Sequence, residues 1–327
     1  MIPESVSDRF RLAQKLLFAK QHVAEAMTRE FFLRYPEWDV RYGERGRRHC
    51  TADACFHVEF LAGAIEAGSP EAFADYSRWT ARMLGARGIA AHTLEESLAE
   101  LEKQLAGALL PGERDAVAAF LTPGRDACME PPPAVDEQPP ADSLGLIRQV
   151  FLTAILGGQR QAALRRVGEL WELNRISVAQ EHIATSITQY AIAVIYPQLA
   201  PSAVHRGSMV VTGVSGELHQ VGANLVADAM EASGWTVRFL GTNLPPASVL
   251  SVVEESSASV LCVSTTIVAN LPAVVELIQV VRDKLSERAP KILLGGAAYR
   301  IATRFAGEIG AVAAFTDLRP ALAQFCA

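Results

Sequence analysis

The spacing of apolar residues changes along the chain and divides it into helical and mixed segments. Up to residue 128, apolar side chains recur at threes and fours, as at Phe10, Leu16 and Val23, which predicts amphipathic helices. Glycine and proline breakers separate these helices at Pro36, Gly43, Gly68–Pro70, Gly88 and Pro111–Gly112. We therefore expect residues 1–128 to form an all-α domain.

A proline-rich acidic stretch follows this helical region. Glu130–Asp142 holds five prolines and four acids, which cannot sustain a helix or strand, so 129–142 is predicted to be an extended linker. Residues 143–201 return to a helical pattern that Asn174–Ile176 interrupts. Ser177, with Gln180 three residues later, predicts a capping box at the next helix. This segment suits a small four-helix bundle.

From Gly207 the pattern changes to short β-rich runs that alternate with amphipathic stretches. Five strands are predicted at Ser208–Thr212, Thr236–Leu240, Val260–Ser264, Ile292–Leu294 and Ala311–Phe315. Such alternation is typical of a parallel, doubly wound α/β sheet of flavodoxin or Rossmann type, here over 202–327. Ligands of these folds bind at the carboxyl ends of the strands.

Composition excludes several classes of protein. The 327 residues are 50% hydrophobic and carry a net charge of -6, which argues against a broad basic face for nucleic acid. No apolar run approaches the ~18 to 20 residues of a membrane span. The five cysteines are scattered and lack CxxC spacing, so neither a disulfide framework nor a zinc site is expected. We expect a cytoplasmic protein that binds neither nucleic acid nor membrane.

The first predicted strand runs into a loop that contains His219. Glu217, two residues earlier, can accept a hydrogen bond from the imidazole nitrogen that faces away from a metal. Gly222 leaves room for a bulky ligand. These residues are followed by Ser264-Thr265-Thr266 and by Gly295-Gly296. The set resembles the cobalamin-binding domain of methionine synthase and the corrinoid proteins, whose pattern is Asp-x-His-x-x-Gly, Ser-x-Leu and Gly-Gly.

This resemblance implies that His219 is the axial ligand of cobalt, in place of the dimethylbenzimidazole base of the vitamin. It also implies a relay of Ser264, Glu217 and His219, and a slot for the nucleotide tail beside Gly295 and Gly296. The chain departs from the family pattern twice, because Glu217 replaces an Asp and Thr266 replaces a Leu. The alternative is an ordinary flavodoxin-like domain with a loop histidine.

The bundle segment carries Trp171 and, ten residues later, the pair Glu181-His182. A flat indole beside a polar pair suits a nucleoside. The arrangement resembles the cap of light-responsive repressors of the CarH type, which implies that these three residues surround a 5′-deoxyadenosyl group above cobalt. Where those repressors carry a histidine after the tryptophan, this chain has Glu172. The alternative is that Trp171 is a residue of the bundle core and Glu181 a first-turn acid.

The N-terminal domain has a second candidate site between Arg47 and His57. Cys50, Asp53 and His57 are spaced three and four apart and share one helical face. The run resembles the Cys-x-Arg-Asp helix of phycobiliproteins, whose fold is globin-like, although Ala52 replaces the family's arginine. The resemblance implies that Cys50 tethers a linear tetrapyrrole and that Asp53 bonds its inner pyrrole nitrogens.

Further residues complete this second candidate site. Arg47 and Arg48 can pair with propionates, because guanidinium forks match carboxylates. The other members of the set are His49, Tyr76 and Trp79, and the last two are expected to wall the pocket. Three interpretations compete: a globin-like domain that holds biliverdin with or without a covalent bond, a haem globin that uses His57 or His92, and a plain helical docking domain.

A globin-like domain joined to a CarH-like cobalamin unit resembles the photocobilins, which combine both chromophores. This resemblance implies a light sensor, not an enzyme, that binds adenosylcobalamin and biliverdin and signals through a homo-oligomer or an effector protein. Two other functions stay open. One is a corrinoid methyl carrier that serves methyltransferases, and the other is a cobalamin-dependent scaffold with a structural N-terminal domain.

Overall fold

A computed structural model describes residues 5–131, 167–198 and 203–325 of the chain. The N-terminal region is a helical domain whose elements begin and end at the breakers that the sequence predicts. Its five helices are α1 (Val6–Arg34), α2 (Pro36–Ala67), α3 (Pro70–Gly85), α4 (Ala91–Ala106) and α5 (Pro111–Cys128).

Four of these boundaries, and a kink inside α2, have a clear backbone cause. Pro36, Pro70 and Pro111 each open a helix, where the missing N–H of proline costs no hydrogen bond. Gly68 ends α2 in the left-handed conformation at φ 64°. Gly43, at φ 52° and ψ -144°, breaks α2 into two helical pieces. The all-α prediction is confirmed, whereas a globin-like arrangement stays a prediction.

The helical domain has a packed apolar core. Phe73, Phe120, Leu61 and Ile65 are fully buried there. A Cβ at Gly124 would lie 2.5 Å from the ring of Phe73, so α3 and α5 approach closely because this position is glycine. The domain is therefore held together by burial of apolar side chains.

Two helical pieces of the predicted bundle lie in the described part of the chain. Residues 167–172 form helix α6, and α7 spans Val178–Ile195. Ser177 caps α7, because its hydroxyl accepts from the Gln180 amide and the Gln180 side chain accepts from the Ser177 amide. The predicted capping box is confirmed. Residues 143–166 of the predicted bundle and most of the predicted linker lie outside the described residues.

The C-terminal domain is a five-stranded parallel sheet, as the sequence predicts, and its strand order is β2-β1-β3-β4-β5. Its strands are β1 (Gly207–Gly213), β2 (Trp235–Phe239), β3 (Val260–Ser264), β4 (Lys291–Gly295) and β5 (Ala313–Phe315). Its helices are α8 (Val221–Ala232), α9 (Pro246–Glu255), α10 (Leu271–Leu285), α11 (Phe305–Glu308) and α12 (Leu318–Phe325). The register pairs Gly213 with Ser264 and Ser264 with Gly295, which brings the carboxyl ends of three strands together.

The helical domain packs directly against the α/β domain. Phe10 and Phe305 have ring centroids 6.4 Å apart, and Arg9 forms an ion pair with Glu308. α2 also packs against a short 3₁₀ turn, Val268–Asn270, which follows β3. None of the described helices combines the length and the apolar character that a membrane crossing requires.

Candidate functional site

The candidate site lies at the carboxyl ends of β1, β3 and β4. The loop after β1 carries Glu217 and His219, and α8 begins at Val221 directly behind them. Glu217 is fully buried, whereas the imidazole of His219 is 58% exposed. A buried carboxylate therefore stands behind a histidine whose ring is open to solvent.

Both oxygens of the Glu217 carboxylate are engaged. Oε1 lies 2.6 Å from Nδ1 of His219 and accepts from the His219 amide at 2.9 Å. Oε2 accepts from the Thr266 amide at 2.7 Å and from the side-chain amide of Asn270 at 3.1 Å. These bonds fix the ring orientation and leave Nε2 of His219 as the nitrogen that can ligate a metal.

The contacts determine the protonation of this pair. Burial is the largest single influence on Glu217 and would raise its pKa, but hydrogen bonds from His219 and Thr266 together outweigh it, so the pKa lies below the ordinary value. The pKa of His219 is raised, chiefly by its hydrogen bond to Glu217, with a smaller contribution from the charge of Glu181. Glu217 is thus a carboxylate that accepts hydrogen bonds at neutral pH.

In the structure, Asn270 contacts Glu217 in the place that the sequence predicts for Ser264. Ser264 ends β3 but is not among the partners of Glu217 in the described part of the chain, and Asn270 donates to the carboxylate instead. The reason is positional, since the turn after β3 carries Asn270 beneath the Glu217 loop. Thr266 contributes its backbone amide, which any residue other than proline would supply at that position.

The space around His219 suits a large planar ligand. A Cβ built at Gly222 would meet no atom within 4 Å, so the region beside it is open. Gly296 has φ 118°, and a Cβ there would lie 2.2 Å from the carbonyl oxygen of Thr265, so a side chain is excluded. Neighbouring Gly295 has only one atom within 4 Å of such a Cβ, the Phe315 oxygen at 3.7 Å.

His219 is a lone candidate metal ligand. Within the ranges that the structure describes, no group of three or more His, Cys, Asp or Glu side chains could hold a metal ion. A single exposed imidazole binds a bare ion weakly, whereas a macrocycle that supplies the equatorial nitrogens needs only one axial protein ligand. The donor set therefore fits a corrin-bound cobalt.

The candidate cap residues on the bundle lie in different surroundings. Glu181, in the first turn of α7, is close enough to His219 for its charge to act on the imidazole. His182 is 73% exposed, with Nδ1 4.0 Å from the Glu181 carboxylate. Trp171, at the end of α6, packs against an apolar cluster that includes Ile176 and Ala184 of the bundle segment. It also contacts the helical domain, where its ring centroid is 6.3 Å from that of Trp79.

The end of α6 is held by two arginines of the helical domain. Arg87 donates to the carbonyls of Trp171 and Glu172, and its guanidinium lies 5.3 Å from the centre of the Trp171 ring. Arg82 forms an ion pair of 2.7 Å with the carboxylate of Glu172. Glu172, which stands where the CarH-type repressors have a histidine, is thus directed to the helical domain.

The second candidate site separates into a buried and an open part. His57 and Tyr76 are both buried, and Nδ1 of His57 lies 2.6 Å from the Tyr76 hydroxyl. Burial lowers the pKa of His57 to about 4. Tyr76 stacks on Phe60 with ring centroids 3.9 Å apart. Two predicted pocket residues are therefore bonded to each other inside the domain.

The open part contains the residues nearer the kink of α2. Cys50 is half-buried, and burial raises the pKa of its thiol, although a hydrogen bond with Thr28 acts to lower it. Burial also raises the pKa of Asp53, although the charge of His49 acts to lower it. Arg48 and His49 are exposed. Arg47 is bound by both oxygens of Asp39, at 2.9 and 2.7 Å, so a propionate would have to displace this acid.

Comparison with known families agrees with the geometry at the α/β sheet. Residues 207–325 match a family model described as a B12 binding domain, and residues 146–196 match a second B12 binding domain model. The chain therefore carries a cobalamin-binding module. Both matched segments lie after residue 145, and the match 207–325 falls inside the predicted domain 202–327.

The chain is similar to several cobalamin proteins at low identity. Methionine synthase of Mycobacterium tuberculosis is 28% identical over 217 residues, 64% of this chain but only 16% of that protein. Corrinoid protein DSY3155 of Desulfitobacterium hafniense is 24% identical over 149 residues, 44% of this chain and 68% of that protein. The solved monomethylamine corrinoid protein of Methanosarcina barkeri is 19% identical with a TM-score of 0.46, and the match covers 55% of this chain and 87% of that one.

Proposed function

We propose that this chain binds cobalamin between the bundle segment and the α/β domain, with Nε2 of His219 as the axial ligand of cobalt. The observation that carries this proposal is the exposed His219 ring held at Nδ1 by the buried Glu217 carboxylate. The chain holds the cofactor and transmits changes in it to other parts of the protein or to a partner. It acts as a binding protein and not as an enzyme.

The residues of the chain have clear tasks in this proposal. Glu217 fixes the tautomer and the direction of His219 and increases its basicity as a ligand. Gly222 leaves open space for the ligand, and Gly296 allows the backbone after β4 to lie close to Thr265. Cobalamin itself supplies a cobalt–carbon bond, which light or a nucleophile can break.

Above the cofactor, we propose that Trp171, Glu181 and His182 receive a 5′-deoxyadenosyl group, and that the chain is a light sensor. The contact that favours a sensor is the packing of Trp171 and Glu172 on Trp79, Arg82 and Arg87 of the helical domain. A change at the cap then alters a contact between two domains, which a switch requires. A changed domain arrangement, a homo-oligomer or an effector protein would transmit the signal.

Biliverdin in the helical domain is the second part of this proposal. Cys50 and Asp53 lie close enough for the Asp53 charge to raise the pKa of the Cys50 thiol, which suits a tether beside a pyrrole-binding acid. The buried His57–Tyr76 pair and Trp79 would border the chromophore from inside the domain. Arg48, exposed and close to Cys50 along α2, is the better propionate partner, since Arg47 is bound to Asp39.

A corrinoid methyl carrier is the second candidate function, and the relatives favour it over the light sensor. Several similar proteins are named corrinoid proteins, among them dimethylamine corrinoid protein 1 of Methanosarcina acetivorans, 23% identical over 61% of this chain. A carrier requires that a partner enzyme reach the upper face of cobalt. The contacts of Arg82 and Arg87 with the end of α6 would have to open for this.

Absorption spectroscopy separates the two candidates. The full chain is loaded with adenosylcobalamin in the dark and illuminated with green light. A sensor loses the alkylcobalamin spectrum and changes its hydrodynamic size or its affinity for a partner. A carrier loaded with methylcobalamin instead transfers the methyl group to a thiol when a methyltransferase is added. The sensor is wrong if illumination changes the spectrum no faster than that of free adenosylcobalamin and leaves the protein's size and partner affinity unchanged.

A cysteine pair tests the bilin proposal. Biliverdin is added to the wild-type chain, to Cys50→Ser and to the matched control Cys55→Ser, since Cys55 is a half-buried thiol on the same helix. The proposal expects a far-red absorption band that survives denaturation in the wild type and in Cys55→Ser. A band that is lost on denaturation in all three proteins indicates non-covalent binding. No band in any of them contradicts the bilin site.

A further inference from the structure

The helical domain touches the α/β domain at the turn that supports the candidate ligand. A Cβ at Gly63 of α2 would lie 2.1 Å from the carbonyl oxygen of Val268 and 3.0 Å from Cα of Ala269. No side chain fits between the two backbones, so α2 and the 3₁₀ turn Val268–Asn270 are in direct backbone contact at this point. A movement of either one displaces the other.

The same turn ends at Asn270, which reaches back into the cobalamin site. Its side-chain amide donates to Oε2 of Glu217 at 3.1 Å, and the residue is buried. Its Oδ1 lies 3.1 Å from the position of a Cβ on Gly216, which has φ +83°. Asn270 is therefore packed beneath the loop that carries Glu217 and His219.

These two contacts form a continuous path from the helical domain to the candidate ligand. We infer that Asn270 is a positioning residue for His219, and that the packing of α2 on the Val268–Asn270 turn controls how firmly His219 is held as the ligand of cobalt. This inference rests on the proposed function. It assigns the helical domain a role in cobalamin coordination that does not depend on a second chromophore.

The hydrogen bonds of Glu217 explain why a change at Asn270 would alter the position of His219. Oε2 has two donors, the Thr266 amide and the Asn270 amide, and it lies in a fully buried carboxylate. Without Asn270, this oxygen keeps one donor, and the carboxylate can turn away from His219. Loss of a hydrogen bond to a buried charge typically shifts an equilibrium roughly tenfold. We expect a change of that size in the ratio of His-ligated to unligated cobalt.

The test uses the full chain loaded with cob(II)alamin and labelled with ¹⁵N-histidine. In the electron paramagnetic resonance spectrum, an axial ¹⁵N histidine splits each cobalt line in two, whereas the ¹⁴N base of the vitamin splits it in three. Asn270→Ala should lower the ratio of His-ligated to unligated cobalt about tenfold, and Gly63→Ala about fivefold. The matched control is Gly85→Ala, because a Cβ at Gly85 meets no atom within 4 Å.

The double variant shows whether Gly63 acts through Asn270. If it does, Gly63→Ala has little further effect in the Asn270→Ala protein, because residues of one pathway are not additive. Fully additive effects, or a folded Gly63→Ala protein with the wild-type spectrum, overturn the inference. If the wild-type protein itself shows three-line splitting, the proposed ligand is wrong and the failure belongs to the proposed function.

Hydrogen exchange tests the same inference without the Gly63→Ala protein, in case that variant does not fold. Coupling is reciprocal, so cobalamin bound at His219 should slow amide exchange in α2 near Gly63. This protection should be present in the wild-type chain and in Gly85→Ala, and weaker in Asn270→Ala. Equal protection of α2 in the wild type and in Asn270→Ala, with cobalamin bound to both, overturns the inference.

Discussion

The indole rings of Trp79 and Trp171 lie 6.3 Å apart, centroid to centroid, where the helical domain meets the bundle segment. The two planes are inclined by 32°, and Arg87 lies over the face of Trp171. A residue predicted to wall the bilin pocket and a residue predicted to cover the adenosyl group are therefore in contact. The relationship joins the two candidate sites physically.

Circular dichroism tests this contact without any cofactor. Two indoles at this distance couple their ultraviolet transitions, so Trp79→Phe and Trp171→Phe should each remove the same exciton signal. Trp235→Phe is the control, because Trp235 lies on β2 and its indole nitrogen faces the Phe325 carbonyl. Spectra that change differently for Trp79→Phe and Trp171→Phe would show that the two rings are not in contact in solution.

The Arg82–Glu172 ion pair should contribute measurably to the docking of the bundle segment. Its atoms are 2.7 Å apart, with the Glu172 side chain mostly buried and that of Arg82 about one-third exposed. Solvent weakens such a pair, so we expect a coupling energy of about 1 kcal/mol. A double-mutant cycle with Arg82→Met and Glu172→Gln, followed by chemical denaturation, measures it. Additive single changes would mean that the pair contributes nothing to docking.

Glu217→Gln should weaken cobalamin binding while preserving the fold. The amide has the size of the carboxylate but carries no charge, and its NH2 group replaces one of the two oxygens that accept the four contacts of Glu217. Loss of such a support residue typically costs 10- to 100-fold in metal affinity, and we expect roughly this decrease in affinity for cobalamin by fluorescence quenching titration. Glu254→Gln, on an exposed part of α9, is the control. Equal affinities of the two variants would show that Glu217 does not support His219 as a ligand.

The sequence predicted the elements well because their signals are local. Pro36, Gly68 and Pro70 define helix ends through their own backbone preferences, and Ser177 with Gln180 defines a cap within four residues. The parallel direction of the sheet also follows from strand and helix alternation. These features depend on neighbours along the chain and need no knowledge of tertiary contacts.

What escaped prediction depends on residues far apart in sequence. Asn270 follows Glu217 by 53 positions and meets it only because β1 and β3 are adjacent in the sheet. The 90-residue separation of Arg82 and Glu172 likewise carries no local signal. An Asn in the turn after the strand beside the ligand loop was the available clue, since polar residues at strand ends gather at one edge of a parallel sheet.

Tyr76→Phe should destabilise the helical domain through His57. The change removes the hydroxyl that lies 2.6 Å from Nδ1 of the buried imidazole and leaves that nitrogen unpaired. An unpaired buried polar atom costs about 1 to 3 kcal/mol, which thermal or urea unfolding detects. Tyr42→Phe is the control, because Tyr42 is exposed. Equal stability of the two variants would show that the hydrogen bond makes no net contribution.

The same histidine should make the stability of the helical domain depend on pH in mildly acidic solution. Burial lowers the pKa of His57 from 6.5 to about 4. Below pH 6.5 the unfolded chain takes up a proton that the native state binds only near pH 4, so the contribution of His57 to stability falls as the pH falls through this window. His57→Gln should therefore gain stability relative to the wild type as the pH falls from 6.5 to about 4.

Glu66 should produce the opposite trend at higher pH. Its carboxyl group is fully buried in α2, and neither oxygen has a hydrogen-bond partner among the residues that the structure describes. Burial raises its pKa from 4.5 to about 8 despite the nearby charge of Arg9. Between these values the unfolded chain releases a proton that the native state retains. The contribution of Glu66 to the free energy of unfolding should therefore fall by about 1.4 kcal/mol per pH unit as the pH rises. It should level off above a pH of about 8.

Glu66→Gln tests this effect because the amide has the same shape and cannot ionise. The variant should gain stability over the wild type as the pH increases from 5 to 8, whereas Glu44→Gln, at an exposed position of α2, should show no such trend. Urea unfolding at a series of pH values measures the difference. A constant difference between wild type and Glu66→Gln across this range would mean that the carboxyl group is ionised in the native state and has found a partner, most directly Arg9.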